Sequence, residues 1–163
     1  MSRLKALAQA ATLVLACAWS PTAGATGKAL TVSLHPLNLL MRTVEVTYES
    51  RLGHSSKSVY VAMGVGPPFD NHVQTRMALG YRFYPVGSYY SGLTISVDIG
   101  GFYGPATGAD SVLVLGRSFI GWKQVFSGLV LDGGIGLGIG AIPAEGQILL
   151  PIPTLKTNIG IAF

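Results

Sequence analysis

The feature that most constrains this chain is a period of two. Across 43–49, Thr43, Glu45, Thr47 and Glu49 fall on one side, and Val44, Val46 and Tyr48 on the other. Across 58–65, Val59, Val61, Met63 and Val65 alternate with Ser58, Tyr60, Ala62 and Gly64. Met77, Leu79, Tyr81 and Phe83 oppose Arg76, Ala78, Gly80, Arg82 and Tyr84. Leu93, Ile95, Val97 and Ile99 oppose Thr94, Ser96, Asp98 and Gly100. At the end Leu155, Thr157, Ile159, Ile161 and Phe163 oppose Lys156, Asn158, Gly160 and Ala162. Side chains along a strand point alternately to its two faces, so each segment has one apolar face and one face of small or charged residues.

Composition decides which face meets the solvent. Only 11% of residues are charged, where a water-soluble domain has roughly a quarter, and the mean hydropathy is +0.48. Such a surface fits hydrocarbon better than water. A backbone in lipid must satisfy its own polar groups, as a helix or as a closed barrel. A helical span needs about 18 or more apolar residues. The nearest approach, 127–142, holds Asp132 and six glycines. The 22 glycines, the abundance of Val, Ile, Thr and Tyr, and regular Gly/Pro/Ser punctuation argue for strands.

The sequence therefore predicts an all-β fold: an eight-stranded antiparallel up-and-down transmembrane β-barrel, apolar outward and polar inward. Strands are expected near 29–38, 43–51, 58–66, 73–84, 91–103, 112–123, 127–140 and 154–163. In the sixth, Arg117 and Lys123 want the interior, which brings Leu113, Leu115 and Phe119 there too unless a bulge near Gly116 resets the phase. With both termini periplasmic, connections near 39–42, 67–72, 104–111 and 141–153 are outer, and the last is the longest. Those near 52–57, 85–90 and 124–126 are periplasmic. Tyr81, Phe83, Tyr84, Tyr89 and Tyr90 cluster by one periplasmic turn, Trp122 and Phe126 by another.

The first 25 residues read as a signal peptide rather than as part of the barrel. Arg3 and Lys5 precede an uncharged run of about 14 residues, shorter than a helical span, and Ala23-Gly24-Ala25 supplies a small-residue exit. Cleavage is expected after Ala25, leaving 26–163 as one barrel domain. Val14-Leu15-Ala16-Cys17 is a loose lipoprotein-type alternative, at a less ordinary distance from the apolar run. Cys17 is the only cysteine, so the mature chain has no disulfide, thiolate metal site or cysteine nucleophile. Removing Arg3 and Lys5 lowers the basic count from 11 to 9 against 7 acids. A net charge of +2 is too small to point to nucleic acid.

The final Lys156-Thr157-Asn158-Ile159-Gly160-Ile161-Ala162-Phe163 resembles the C-terminal signal read by the barrel assembly machinery, with Asn158, Gly160, Ile161 and Phe163 as its candidate residues. Other segments resemble a family of short, uncharacterised bacterial outer-membrane barrels, similar in size to OmpX and the OmpA barrel. They are Ser33-Leu34-His35-Pro36-Leu37-Asn38-Leu39-Leu40, Val46-Thr47-Tyr48-Glu49, Leu79-Gly80-Tyr81-Arg82-Phe83-Tyr84 and Leu129-Val130-Leu131-Asp132-Gly133-Gly134-Ile135-Gly136-Leu137-Gly138. His35 and Asn38 depart from that family's Asn/Gly-rich pattern. The resemblance implies an outer-membrane location, contact with lipid and lipopolysaccharide, and help from periplasmic chaperones and the assembly machinery. It says little about activity.

Few residues offer chemistry. Gly133 to Gly140 invites a nucleotide-binding reading, but a phosphate loop needs a helix after it, and here alternate glycines run on to Pro143. A strand face of glycine, making room for long side chains opposite, is the better reading. The inward set Glu45, Glu49, Asp98 and Asp132 against Arg76, Arg82, Arg117, Lys123 and Lys156 predicts an ion-pair network filling the lumen, since buried charges need partners and eight-stranded barrels are normally filled by side chains. A charge-lined narrow channel is the functional alternative. A lipid A deacylase-like enzyme would need a serine beside a base and an oxyanion site. His54-Ser55-Ser56 lies in a periplasmic turn, His72 has no neighbouring serine, and His35 reads as a packed lumen residue, so no catalytic set is assigned. Asp70, Asp110 and Glu145 are scattered over three outer loops and assign no metal. No cofactor is expected, and the protein is expected to be a monomer without enzymatic activity.

Overall fold

A computed structural model describes residues 30–40, 43–53, 56–69, 72–88, 91–105, 110–143 and 146–163. The expected signal peptide, its cleavage site and Cys17 lie outside them. The elements are β1 (Leu30–Leu34), α1 (Pro36–Leu40), β2 (Val44–Arg51), β3 (Lys57–Phe69), β4 (His72–Ser88), β5 (Ser91–Pro105), β6 (Asp110–Phe126), β7 (Leu129–Ile142) and β8 (Gln147–Ala162). Each strand pairs antiparallel with the next, and β8 returns to β1 to close an eight-stranded barrel. The closing seam runs from Thr31↔Ala162 to Leu34↔Ile159, capped by reciprocal backbone bonds between Leu30 and Phe163. The end that holds this seam and the β2–β3, β4–β5 and β6–β7 turns is the near end; α1 and the other connections form the far end.

The alternation decides which way each residue points. Outside, Met77, Leu79, Val97, Ile99, Ile135, Leu137, Leu155 and Ile161 are all more than half exposed. Inside, Glu49, Ser58, Tyr60, Arg82, Tyr84, Lys123 and Asn158 are buried. The usual polarity of a globular protein is reversed. β6 keeps one phase throughout: its register with β5 is unbroken from Gly92↔Lys123 to Pro105↔Asp110. Leu115 and Phe119 therefore face inward with Lys123, and the bulge near Gly116 that would have turned them out does not exist.

Several expected boundaries are wrong. β1 stops at Leu34 instead of 38, because Pro36 opens a short helix over Pro36–Leu40. Proline has no N–H to give a sheet, and its fixed φ suits the first helical position. β8 starts at Gln147, so 147–153 is strand rather than part of a long outer loop. Much of 67–72, 85–90, 104–111 and 124–126 is strand as well. Three register shifts carry the strands past their prolines. They lie between Val65 and Pro68 on β3, between Phe83 and Val86 on β4, and opposite Gly138–Gly140 on β8. Each adds one residue to the proline-bearing strand, a β-bulge, which is where a sheet tolerates a missing donor.

Candidate functional site in the barrel lumen

The lumen holds all nine charged residues that the alternation sends inward, in two clusters. Towards the near end, Glu49 occupies the centre. Its Oε1 accepts from Ser58 Oγ at 2.6 Å and from Tyr84 OH at 2.7 Å. Its Oε2 accepts from Arg82 at 2.9 Å and from Lys123 Nζ at 3.0 Å. Arg82 spans the lumen and gives its other terminal nitrogen to Asp132 Oδ2 at 2.8 Å, where Asn158 Nδ2 also donates at 2.8 Å. Arg82 and Lys123 are each 1% exposed, so their charges depend on these partners and not on solvent.

Towards the far end, Arg117 makes a forked contact with Asp98, Nε at 2.7 Å and NH2 at 3.0 Å, and Tyr60 OH donates to the same carboxylate at 2.7 Å. A forked guanidinium–carboxylate pair fixes orientation as well as charge. Arg76 pairs with Glu45 at 2.6 Å, and Asn38 Nδ2 from α1 donates to Glu45 at 2.9 Å. Tyr60 stands between the clusters. Lys156 Nζ lies 4.0 Å from its ring centroid, and the Arg82 guanidinium 5.4 Å. These are cation–π distances.

Backbone shape makes room for this set. A Cβ on Gly80 would overlap the hydroxyl-bearing edge of the Tyr60 ring. On β7 the inward positions Gly134, Gly136, Gly138 and Gly140 form a low wall. A Cβ at Gly136 would come within 2.8 Å of Phe119, and one at Gly138 within 3.2 Å of the Arg117 stem. The glycine run is strand from end to end, with no helix to meet a phosphate.

The site residues that sequence reasoning missed are Tyr60, Tyr84, Ser58 and Asn38, with Asn158 acting as a donor inside the network. Tyr60, Tyr84 and Ser58 share the phase of Glu49 and Arg82, which is the signal that could have found them. Of the candidate assembly residues, Asn158 is buried, Gly160 packs against Val32 and Ser33, and Ile161 and Phe163 face outward.

His35 is buried just beyond β1, where its Nε2 accepts the Thr157 backbone N–H at 3.4 Å. Among the described residues no serine hydroxyl bonds to it. His54, Asp70 and Glu145 lie outside the described residues, as do the side chains of His72 and Asp110. Among the described residues no group of three or more His, Cys, Asp or Glu side chains could hold a metal ion. Within the polar lumen lies a cavity of about 40 Å³, lined in part by His35, Glu45, Arg76, Asp98, Arg117 and Lys156. A larger hollow of about 740 Å³ lies among apolar side chains of the outer wall, Ile95, Ile120, Ile135, Leu137 and Leu155 among them. No protein-family model matches the chain, and no curated protein or solved structure does.

Proposed function

We propose that this protein is a non-enzymatic integral barrel of the bacterial outer membrane, a scaffold that displays its far-end connections at the cell surface and serves envelope integrity or surface interaction. The observation that carries the reading is the reversed polarity. Ile, Leu, Val and Met side chains cover much of the outside of a closed barrel while Glu45, Glu49, Asp98 and Asp132 pair with Arg76, Arg82, Arg117 and Lys123 within. Water would penalise that exterior heavily at about 25 cal/mol per Å² of apolar surface, whereas lipid would not. Closure leaves the barrel able to satisfy its own backbone, the condition for crossing hydrocarbon. The N-terminal signal-like segment and the terminal Phe163 give the route: export, escort by periplasmic chaperones, and insertion by the barrel assembly machinery. In this reading the chain joins the family of short outer-membrane barrels it resembles, with lipid and lipopolysaccharide as its surroundings, and acts as a monomer.

A filled lumen supports a scaffold over a channel. Arg82 bridges Glu49 and Asp132 across the interior, so an ion would have to part a buried pair to pass. The test combines fractionation with gel migration. A band in outer-membrane fractions that migrates faster unheated than boiled supports the assignment; recovery as a detergent-free soluble monomer sinks it. Planar-bilayer recording should give no stable, salt-dependent conductance steps. Mass spectrometry of lipid A should give the same profile for the wild type and for His35, His54 and His72 variants. A changed profile would make the protein a lipid A-modifying enzyme instead.

A further inference from the structure

The barrel wall is uneven at its seam. β8 has 16 residues and β1 five. The two pair only from Thr31↔Ala162 to Leu34↔Ile159, while β7 accompanies β8 on its other side as far as Gln147. Among the described residues, then, no strand stands beside 147–158 on the β1 side. β2 does not fill the gap: Val46 lies opposite Leu34, the last residue of β1, and β2 begins at Val44. The far end of the wall therefore has a notch between β8 and β2, and α1 sits in it, touching both strands. Its five residues make about 7.5 Å of helix, against about 40 Å for the 12 residues of strand at 147–158.

The strands hold one another by ladders of backbone bonds, whereas α1 is held to its neighbours by single contacts. Backbone polar groups along a strand point alternately to its two sides. Leu30 and Phe163 exchange bonds, so the residues in phase with Phe163, back through Ile161, Ile159, Thr157, Leu155 and Pro153, address the β1 side. Pro153 has no N–H to give there. Thr157 gives its N–H to the ring of His35 at 3.4 Å, a side chain standing in for the strand that has ended. On the β2 side, Asn38 Nδ2 donates to the Glu45 carboxylate at 2.9 Å and His35 N–H to the Glu45 carbonyl at 3.2 Å. A segment held by few bonds opens at a lower free energy than the ladders around it. Behind α1 lies the lumen cavity, whose lining includes His35, Asn38, Glu45, Thr47 and Lys156.

We propose that α1 is a strap over this notch, which opens the lumen sideways while the eight strands stay paired. Opened, the notch gives water and small ions a route to Glu45, Arg76 and Lys156 through the wall between β8 and β2. That route ends at the buried Glu49–Arg82–Asp132 pairs, so it wets the far-end cluster without making a channel. The proposal rests on strand register and on the contacts of α1, and it holds whatever medium surrounds the wall.

The test follows amide hydrogen exchange by NMR in the mature chain folded in zwitterionic micelles. In the wild type, Thr157 N–H should exchange well ahead of Ile159 and Ile161, which pair with β1, and of Lys156 and Asn158, which pair with β7. Asn38→Ala removes the strap's hold on the Glu45 carboxylate and leaves His35 in place. It should speed Thr157 exchange about tenfold, the effect of losing one hydrogen bond to a charged group, and leave the other four amides unchanged. Access is read separately with a small water-soluble thiol reagent. A cysteine placed behind the strap as Thr47→Cys should react faster once Asn38→Ala is added, whereas Ser96→Cys, inward and buried on β5, should not. Equal acceleration at both cysteines, or none at either, overturns the side opening. Thr157 protected as firmly as Ile159 overturns the strap from the wild type alone, even if no variant folds. So does an Asn38→Ala effect that is absent at Thr157 or spread evenly over all the amides followed.

Discussion

Glu49 has a carboxylate's acceptor capacity filled by four side chains, those of Ser58, Tyr84, Arg82 and Lys123. Removing it as Glu49→Ala takes a carboxylate from Lys123 and one of two carboxylates from Arg82, both of them 1% exposed. The expected loss is about 3–5 kcal/mol, the cost of breaking a buried pair from one side, read as a lower urea midpoint for the barrel refolded in micelles. Glycine gives a second residue-level prediction with its own control. Gly80→Ala drives a methyl against the hydroxyl-bearing edge of the Tyr60 ring and should cost about 1–3 kcal/mol or more by overpacking. Gly101→Ala meets nothing within 4 Å and should be neutral or gain up to about 1 kcal/mol from the stiffer unfolded chain. The charged members of the lumen were legible because period two fixes the face of every residue once one is known. Their pairing was not, because it depends on strand register. Arg82 meets Asp132 across the lumen, a contact that no local pattern encodes.

Among the elements, the β6–β7 hairpin turns within two described residues. Phe126 pairs directly with Leu129, and the two residues between them both have positive φ, 48° at Ser127 and 98° at Gly128. That is the primed two-residue turn, whose twist matches the flanking strands and which favours Asn-Gly. Serine bears a cost in the left-handed region that asparagine largely avoids. Ser127→Asn should therefore add up to about 1 kcal/mol, and Gly128→Ala should lose about 1–2 kcal/mol, both measured by urea unfolding of the refolded barrel. Strand centres were readable from alternation, and strand ends were not, for one physical reason. Proline was read as a stop, but at Pro67, Pro85 and Pro151 a bulge absorbs the missing N–H and the strand runs on. A bulge is a property of two strands in register, so one strand's sequence does not announce it. At Pro36 the opposite holds: the same residue type ends β1, because the chain has a helix to enter.

At the scale of the whole molecule, the proposed membrane location makes a demand that a water-soluble barrel would not. The outer wall is largely apolar, and Ile99, midway along β5, is 61% exposed. In water, Ile99→Arg would replace exposed hydrocarbon with a hydrated cation and should be harmless or stabilising, since exposed substitutions rarely exceed about 0.5 kcal/mol. In a bilayer the same change places a charge near the midplane, with an expected cost of about 2–4 kcal/mol. Moving the arginine towards the near end, as Leu129→Arg beside the β6–β7 turn, should reduce the cost to about 0–1 kcal/mol, because an interface residue reaches water. Refolding wild type and both variants into phosphatidylcholine vesicles and comparing their urea midpoints measures this gradient. A depth-dependent penalty would mean that hydrocarbon covers the wall; equal midpoints for all three would mean that it does not. The gradient tests more than location, because the charged lumen requires it. Four carboxylates and five cations gathered inside a narrow barrel are poor stabilisers compared with apolar packing. They are tolerable where the outside must be apolar and the inside is the only place left for polar side chains.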